Sequence, residues 1–559
     1  MSAAAQPVSA QPASANIARH LAEMAAAQPD RPALKIPRAT RRNGDIDYLS
    51  LSFAELAVEV DAWSERLHRA GVRRGDRTLV MVRQGLPLIA GAFALFRVGA
   101  VPVIVDPGMG LKAFLRCVAQ SQPRVLLGIP LAQLVSRVAR RAFRTLEVRI
   151  PASGRLTARL HGGGPRPKPA PAAVTTADEL AAILFTSGST GAPKGVCYEH
   201  GVFDAQIRSI RDTYGIEPGE IDLPLLPIFA LFNPALGMTT IVPQIDPRKP
   251  AALDPAAIVR AIQQERVTNS FGSPTLWQKI GAHCIAQQIQ LPSLRRVLCA
   301  GAPVPAALWT GARRFLPNGA LHSPYGATEA LPVASVSDRD IAPSEVRGAC
   351  VGHPVAAVDV RIIAITDAPI ATWSAATELP AGEVGEIVVR GAVVTKTYDA
   401  NPVATAAAKI AGEDGAGASA VWHRMGDCGF RDAENRLWFC GRKVERVETA
   451  LGRLFTEPCE QVFRQHPRVG RCALIGLGAR PAQRPALVVE ANLKDSAACR
   501  QFARELATLG AQHPHTQSIR TFYFRPHFPL DVRHNAKIHR LALARWATSV
   551  RGFEIELKR

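Results

Sequence analysis

Residues 184–195 read Leu-Phe-Thr-Ser-Gly-Ser-Thr-Gly-Ala-Pro-Lys-Gly, and they continue an apolar run that begins at Leu180. The apolar run favours a buried strand that leads into a loop. Small residues let backbone N–H groups surround an anion, hydroxyls add donors, and Lys194 adds positive charge. The stretch therefore predicts a loop that holds a polyphosphate. A Ser/Gly linker is the alternative, but a linker needs neither the strand nor the lysine.

Three later stretches carry groups that suit a nucleotide. Residues 299–303 read Cys-Ala-Gly-Ala-Pro, 324–329 read Pro-Tyr-Gly-Ala-Thr-Glu, and 425–430 read Met-Gly-Asp-Cys-Gly-Phe. The aromatic face of Tyr325 suits a purine, and the Glu329 carboxylate suits a hard cation between phosphates. A carboxylate such as Asp427 accepts hydrogen bonds from two neighbouring hydroxyls. Taken singly, each residue also fits a turn, a core tyrosine or a surface acid.

The order of these motifs resembles the adenylate-forming superfamily of acyl-CoA synthetases, nonribosomal peptide adenylation domains and luciferases. These enzymes use ATP and Mg²⁺ to turn a carboxylate into an acyl-adenylate. Gly441-Arg442 resembles the motif at the family's domain junction, and residues 529–538 resemble the C-terminal motif that carries the adenylation lysine, here Lys537. The resemblance assigns Mg²⁺ to Glu329, the α-phosphate to Thr328 and the adenine ring to the small residues at 299–303. It assigns catalysis to Lys537, Lys194, Glu329 and Thr328, and ATP to a larger set. That set is Thr186, Ser187, Gly188, Ser189, Thr190, Gly191, Lys194, Gly301, Ala302, Pro303, Tyr325, Gly326, Thr328, Asp427, Arg442 and Lys537.

The fold expected is α/β. An amphipathic run over 53–67 favours a helix, the apolar stretch 78–82 favours a strand, and a second apolar run over 86–105 favours a buried helix followed by a strand at 101–105. Towards the C-terminal end, 472–476 and 486–490 favour short strands and 497–509 favours a helix. The resemblance implies a large domain of stacked sheets and helices over 17–442 and a small mobile α+β domain over 443–559. Residues 1–16 are rich in Ala, Ser, Pro and Gln and favour a disordered tail.

Composition excludes several classes of protein. The chain has 559 residues, 47% hydrophobic and 20% charged, with a net charge of +20. The basic residues are scattered instead of forming a patch with interleaved aromatics, which argues against nucleic-acid binding. The ten cysteines show no zinc spacing and no secretory leader precedes them, so a reduced cytoplasmic location is expected. An arginine-rich solvated surface is the simplest interpretation of the charge, and attraction to anionic lipid or an acidic partner is the alternative.

Three stretches of sequence are similar to one branch of the superfamily, the olefin β-lactone synthetase family. They are residues 227–238, 325–333 and 531–538. The resemblance implies adenylation of a 2-alkyl-3-hydroxy long-chain fatty acid, followed by attack of the β-hydroxyl to give a β-lactone. It also implies that Phe229, Phe232 and Asn233 line the acyl site, although plain core packing or a turn before Pro234 would use the same residue types.

Two other functions compete with this interpretation. A long-chain acyl-CoA ligase shares the first step but uses CoA as acceptor, and a carrier-loading or scaffold subunit would act mainly as a binding module. Val444, the loop 447–455 and Ala536 depart from general acyl-CoA ligases in a way that is compatible with an internal nucleophile. The family also implies association with thiolase-like, hydrolase-like and reductase-like pathway proteins, and a location peripheral to the inner membrane.

Overall fold

The structure is a computed structural model. It describes residues 14–158, 169–186, 193–246, 252–340, 347–356, 358–412, 421–493, 495–530 and 538–556.

The helices of the described residues are distributed along the whole chain. In chain order they are α1 (Arg19–Ala27), α2 (Phe53–Arg69), α3 (Leu86–Arg97), α4 (Leu111–Ser121), α5 (Pro130–Val138), α6 (His200–Tyr214), α7 (Asn233–Leu236), α8 (Pro255–Glu265), α9 (Pro274–Ala286), α10 (Ala306–Phe315), α11 (Pro402–Ala408), α12 (Thr456–Arg464), α13 (Ser496–Ala511) and α14 (Arg540–Ala547).

The strands alternate with these helices. In chain order they are β1 (Pro32–Thr40), β2 (Ile46–Ser52), β3 (Arg77–Met81), β4 (Val101–Val105), β5 (Val125–Gly128), β6 (Val148–Pro151), β7 (Leu180–Thr186), β8 (Lys194–Glu199), β9 (Ile221–Asp222), β10 (Thr239–Ile241), β11 (Asn269–Gly272), β12 (Arg296–Cys299), β13 (Ala320–Ala327), β14 (Ala330–Ser337), β15 (Ala349–Pro354), β16 (Val358–Ile363), β17 (Gly385–Gly391), β18 (Lys409–Ala411), β19 (Val421–Arg431), β20 (Leu437–Arg442), β21 (Val447–Thr449), β22 (Gly452–Leu454), β23 (Cys472–Leu477), β24 (Arg484–Glu490), β25 (Thr521–Arg525) and β26 (Phe553–Glu554).

Two large sheets position the site. The first sheet has the strand order β6-β5-β3-β4-β7-β8 and is parallel except for β8, which returns antiparallel to β7. The second sheet is 14-stranded and runs from β16 through β19, β20, β14 and β13 to β1 and β2. Helices pack on these sheets, so the expected α/β class is confirmed.

Local sequence explains why the predicted elements form. Helix α2 begins with a capping box, because the Ser52 hydroxyl accepts from the Glu55 N–H at 3.2 Å and the Glu55 carboxylate accepts from the Ser52 N–H at 2.9 Å. Its apolar positions then bury Phe53 and Trp63 in the core. The predicted helix over 53–67 and the predicted strands at 78–82 and 101–105 are confirmed within a few residues.

The C-terminal part of the chain has its own sheet and core. Strand β24 pairs antiparallel with β23 and parallel with β25, which is followed by β26. Helix α13 covers one face of this four-stranded sheet through Phe502 and Leu506, and α14 covers the other through Leu543. The predicted strands at 472–476 and 486–490 and the predicted helix at 497–509 are confirmed.

The structure shows the state of the cysteines and the character of the helices. All ten cysteines are free thiols. Within the described residues, none of the helices combines the length and the apolar character that crossing a membrane would require.

At the N-terminal end, Asn16 is buried, and its side-chain amide donates to the carbonyls of Phe96 (2.8 Å) and Ala173 (3.0 Å).

Candidate active site

Tyr325, Asp427 and Arg442 meet in the second sheet, where they lie on β13, β19 and β20. The Tyr325 hydroxyl donates to Asp427 Oδ2 at 2.7 Å, and the Arg442 guanidinium lies 2.8 Å from Asp427 Oδ1. Asp427 and Arg442 face each other across the β19–β20 ladder. Burial raises the pKa of Tyr325 well above its ordinary value, so its hydroxyl stays a donor. The carboxylate is thus oriented by two donors, one of them cationic.

The hairpin β13–β14 carries this tyrosine and the predicted metal ligand Glu329. Gly326 sits within the turn region, where a Cβ would lie 2.6 Å from the Ala330 carbonyl oxygen, so a side chain there would displace the hairpin. The backbone carbonyl of Thr328 accepts a hydrogen bond from the Tyr198 hydroxyl at 2.5 Å. Close backbone packing therefore fixes the segment that holds the predicted α-phosphate and Mg²⁺ residues.

Tyr398 orients the Glu329 carboxylate. Its hydroxyl donates to Glu329 Oε1 at 2.7 Å, and the Nζ of Lys194 lies 5.0 Å from its ring centroid. Thr395 holds the Glu329 backbone carbonyl through its N–H (2.9 Å) and its hydroxyl (3.2 Å). The ring of Tyr398 therefore lies between a predicted phosphate-binding lysine and a predicted metal-binding glutamate.

A second lysine, Lys409, is buried behind this network. Its amino group donates to the Thr395 carbonyl and lies 5.9 Å from the Tyr398 ring centroid. Burial lowers the pKa of Lys409 from its ordinary 10.5 to about 7. Sequence reasoning missed this residue, because a single lysine after an alanine-rich stretch is typical of a helix surface.

Lys409→Met should change how the stability of the protein depends on pH. Between about pH 7 and pH 10.5 the unfolded chain holds a proton on Lys409 that the folded chain has lost. This group therefore makes the wild-type protein more stable as the pH rises through that window, by a few kcal/mol in total. Methionine does not titrate, so we expect the free energy of unfolding of the variant relative to wild type to fall steadily across the window. Denaturant titrations of both proteins measure this difference, and parallel pH profiles would contradict it.

The predicted adenine-facing segment follows β12 in an extended turn. Gly301 has φ +99°, a left-handed conformation that favours glycine. Gly301 and Pro303 are exposed and Ala302 is half-buried. The segment presents backbone and small side chains, as the sequence predicts.

An apolar cavity of about 40 Å³ lies beside the hairpin. The predicted acyl-site residues Phe229 and Phe232 line it, and Phe229 stacks on Phe271 with centroids 3.6 Å apart. Pro324 and Leu331 from the hairpin form another part of its wall. The cavity therefore adjoins the hairpin that carries the predicted nucleotide motif.

One side of this cavity carries a buried polar cluster. Asp222 Oδ2 accepts from the Asn233 amide at 2.8 Å, and Asp222 Oδ1 accepts from the Asn269 amide at 2.6 Å. Asn233 also donates to the Thr240 hydroxyl at 3.0 Å. Burial raises the pKa of Asp222 to about 6. Asn233 was predicted from sequence, whereas Asp222 and Asn269 were not, since each lies in a short strand that belongs to none of the motifs.

Asn233→Ala should destabilise the fold most where Asp222 is ionised. Well above pH 6 the variant leaves a buried carboxylate with one of its two donors, which costs about 1–3 kcal/mol. Well below pH 6 the protonated carboxyl needs the donor less, so the cost should shrink. Asn318→Ala is the matched control, because that amide is exposed and donates to the Pro292 carbonyl. Equal losses of stability at both pH values would contradict the assignment.

Several predicted residues lie outside the described residues. They are Ser187, Gly188, Ser189, Thr190 and Gly191 of the phosphate loop, and Lys537. The backbone flanking each group is described: Thr186 pairs with Lys194 in the β7–β8 ladder, and Leu530 pairs antiparallel with Ile538. The roles of these residues stay predictions.

The described donors fit ATP and Mg²⁺. Glu329 offers a carboxylate oxygen, the ligand type that Mg²⁺ prefers. Lys194 offers a cation for phosphate oxygens, and Asp427 offers a buried carboxylate, oriented by Tyr325 and Arg442, that suits vicinal hydroxyls. A carboxylate, a lysine and an oriented aspartate, carried by the two large sheets, are the groups that carboxylate activation by ATP requires.

These features define an adenylate-forming ligase, a class whose members use ATP with Mg²⁺. A family model described as AMP-binding enzyme matches residues 21–399, and the chain belongs to this family. The superfamily inferred from the motifs is therefore confirmed.

Two relatives and one solved structure are similar to this chain over nearly its full length. The chain is 45% identical over 552 residues to an olefin beta-lactone synthetase of Xanthomonas campestris pv. campestris, covering 96% of this chain and 98% of that protein. It is 46% identical over 549 residues to an olefin beta-lactone synthetase of Stenotrophomonas maltophilia, with the same coverage. Among solved structures, O-succinylbenzoate coenzyme A synthetase from Bacillus subtilis in complex with AMP has a TM-score of 0.74 at 21% identity, covering 96% of this chain and 99% of that one. The last likeness supports the fold alone.

Proposed function

We propose that this protein is a β-lactone synthetase that acts on 2-alkyl-3-hydroxy long-chain fatty acids. The observation that carries the proposal is the 45–46% identity, over nearly the full length, to two olefin beta-lactone synthetases. The apolar side chains of Phe229 and Phe232 lie beside the nucleotide hairpin and next to a buried polar cluster, which supports an acyl site at this position.

In the first step a carboxylate oxygen of the substrate attacks the α-phosphorus of ATP, and pyrophosphate leaves. We assign the polyphosphate to residues 186–194, Mg²⁺ to Glu329, and the ribose hydroxyls to Asp427. Lys537 neutralises the charge that develops at the α-phosphate. Little covalent chemistry falls to the protein, so positioning and charge neutralisation dominate the catalysis. Mg²⁺ supplies further neutralisation of the phosphate oxygens when it is bound.

In the second step the β-hydroxyl oxygen of the same molecule attacks the acyl carbon. The carbon–oxygen bond to AMP breaks, AMP leaves with the electron pair, and the hydroxyl proton is released. A four-membered lactone remains. An internal nucleophile needs no channel for the pantetheine arm of CoA, which agrees with the departures at Val444 and Ala536.

We also propose the division into a large domain over 17–442 and a small lid domain over 443–559. Lys537 and the phosphate loop then lie on different domains, so adenylation requires the domains to close. Contacts at the junction support a defined resting arrangement. The guanidinium of Arg446 lies 2.7 Å from the Asp367 carboxylate, and the Gln461 amide donates to the Gly348 carbonyl at 2.8 Å.

Oxygen labelling tests the order of bonds. With ¹⁸O in the substrate carboxylate, the proposed route transfers one label to AMP and keeps one in the lactone carbonyl. With ¹⁸O in the hydroxyl, the label stays in the lactone ring and none reaches AMP. Label from the hydroxyl in AMP would mean that the hydroxyl, and not the carboxylate, is activated, and would overturn the mechanism.

Two further parts of the proposal concern partners and location. Its substrate chemistry implies a preceding enzyme that supplies a β-hydroxy acid and a following enzyme that decarboxylates the lactone, in a complex of thiolase-like, hydrolase-like and reductase-like proteins in the cytoplasm. Co-purification of the tagged protein from its native host, followed by identification of bound proteins, tests this. Recovery of the tagged protein alone at physiological salt would contradict a stable complex.

A further inference from the structure

Helix α5 exposes an apolar stripe where a surface helix normally carries polar residues. Leu131, Leu134 and Val138 are 62%, 56% and 77% exposed. They occupy positions i, i+3 and i+7 and so share one face of the helix. The opposite face already fills the core through Ala132 and Ser136, which are buried. The stripe is thus surplus to the packing of the fold.

The same region of the chain is strongly basic. No Asp or Glu occurs between residues 107 and 146. The cations of this segment are Lys112, Arg116, Arg124, Arg137, Arg140, Arg141 and Arg144. Four of the arginines lie within or directly after α5, and all four are exposed.

Within the described residues, both acidic groups that pair with this segment contact Arg124. Glu147 lies 2.7 Å from the Arg124 guanidinium, and Asp76 pairs with the same arginine at 2.5 Å. Within the described part of the chain, the arginines at 137, 140, 141 and 144 form no ion pair. Their charge is therefore available to an anionic partner.

Helix α4 extends this surface. We call the whole surface the α4–α5 patch; it consists of Leu111, Lys112, Leu131, Leu134, Val138 and the arginines at 137, 140, 141 and 144. Helix α4 packs on the same hydrophobic cluster as α5, through Cys117 and Val118 on one side and Ala132 on the other. Its first residue, Leu111, is 66% exposed and is followed by the exposed Lys112. Both helices begin after parallel strands of the first sheet, at the edge where β7 leads into the predicted phosphate loop.

We propose that the α4–α5 patch docks the enzyme on an anionic phospholipid bilayer. An apolar stripe beside uncompensated arginines is the pattern of a helix that lies in a membrane interface. Protein interfaces favour Tyr, Trp and Phe, and the stripe contains only aliphatic residues. If the proposed function holds, docking also brings the site to a substrate whose alkyl chains partition into lipid.

Vesicle co-sedimentation of the full-length protein tests the patch without turnover. We expect wild type to bind vesicles of phosphatidylcholine with about a quarter phosphatidylglycerol, to bind neutral vesicles weakly, and to lose binding as salt rises. Two variants should each bind at least about tenfold more weakly. One carries Leu131→Ser, Leu134→Ser and Val138→Ser together. The other changes the four arginines at 137, 140, 141 and 144 to Gln.

Matched controls carry equal changes elsewhere. The apolar control changes Val174, Val403 and Leu451 to Ser, since these residues are 66%, 80% and 90% exposed. The charge control changes the exposed Arg266, Arg314, Arg500 and Arg504 to Gln. Unfolding temperature and pyrophosphate exchange with a short soluble 3-hydroxy acid confirm that each variant is folded.

The outcomes separate membrane docking from other roles. Absence of wild-type binding to anionic vesicles overturns the proposal, as does an equal loss in the controls. Vesicle binding that survives both patch variants, while sedimentation velocity shows that they lose self-association, would assign the patch to a protein interface and also overturn it. Because no product is measured, failure of the lactone chemistry leaves the vesicle result intact.

Discussion

Lys537→Ala is expected to reduce acid-dependent ATP–pyrophosphate exchange on the order of 10²–10³-fold while ATP binding is retained. In the proposed mechanism the lysine neutralises charge that appears only as the carboxylate attacks the α-phosphorus. The proposed contacts that hold the nucleotide before that moment come from the proposed large domain. A group that acts mainly in the transition state changes the rate much more than the ground-state affinity.

Isotope exchange and direct nucleotide binding measure the two effects of Lys537→Ala separately. Lys279→Ala, on the exposed surface of α9, is a suitable control because it removes a surface lysine to which no role in the site is assigned. Unchanged exchange in Lys537→Ala would remove this residue from the adenylation step. A large loss of ATP affinity with an unchanged maximal rate would make it a binding residue instead.

Glu329→Gln is expected to lower the exchange rate on the order of 10²-fold and to raise the Mg²⁺ concentration needed for half-maximal rate. Glutamine keeps the shape of the side chain and an oxygen that can accept from the Tyr398 hydroxyl. The substitution therefore removes the negative charge while leaving the network around Thr395 in place. A neutral amide oxygen is a weaker ligand for a hard divalent cation than a carboxylate.

Magnesium titrations of the exchange rate measure the effect of Glu329→Gln. Tyr398→Phe serves as the comparison, because it removes the hydroxyl that orients Glu329 but keeps the carboxylate and the ring beneath Lys194. We expect the tyrosine variant to lose less rate and to keep its metal dependence nearly unchanged. An identical magnesium profile for wild type and Glu329→Gln would contradict the metal assignment.

The parts of the fold that sequence predicted are those with a local physical cause. Helix α2 follows from a capping box and a regular apolar spacing, and β7 follows from an apolar run before a Gly-rich stretch. The meeting of Tyr325 with Asp427 was expected only because each lies in a motif that resembles the same family. The two residues are 102 positions apart, and nothing in the intervening sequence predicts that their strands join one sheet.

The residues that sequence missed act through distant contacts. Tyr398 bonds Glu329 across 69 residues, and Asn269 bonds Asp222 across 47. A lone tyrosine or asparagine in a short strand has no pattern that distinguishes such a role from ordinary core packing. Asn233 was predicted either to line the acyl site or to form a turn before Pro234. Its amide donates to Asp222, a buried contact that neither alternative described.

The order of strands in the second sheet also could not be predicted from local sequence. In this sheet β15 lies beside β20, and β9 lies between β11 and β10. These neighbours depend on how whole layers of the fold pack together. Alternation of helices and strands predicts the α/β class, because a parallel sheet needs crossover helices. It does not predict which strands become neighbours when so many share one sheet.

Product analysis with and without CoA tests the central claim most directly. A synthetic 2-alkyl-3-hydroxy fatty acid is incubated with the enzyme, ATP and Mg²⁺, and the products are observed by proton NMR. The proposed function predicts β-lactone ring protons together with AMP, in amounts that CoA does not change. A thioester that forms only when CoA is present, with no lactone in its absence, would contradict it and assign the protein to the acyl-CoA ligases.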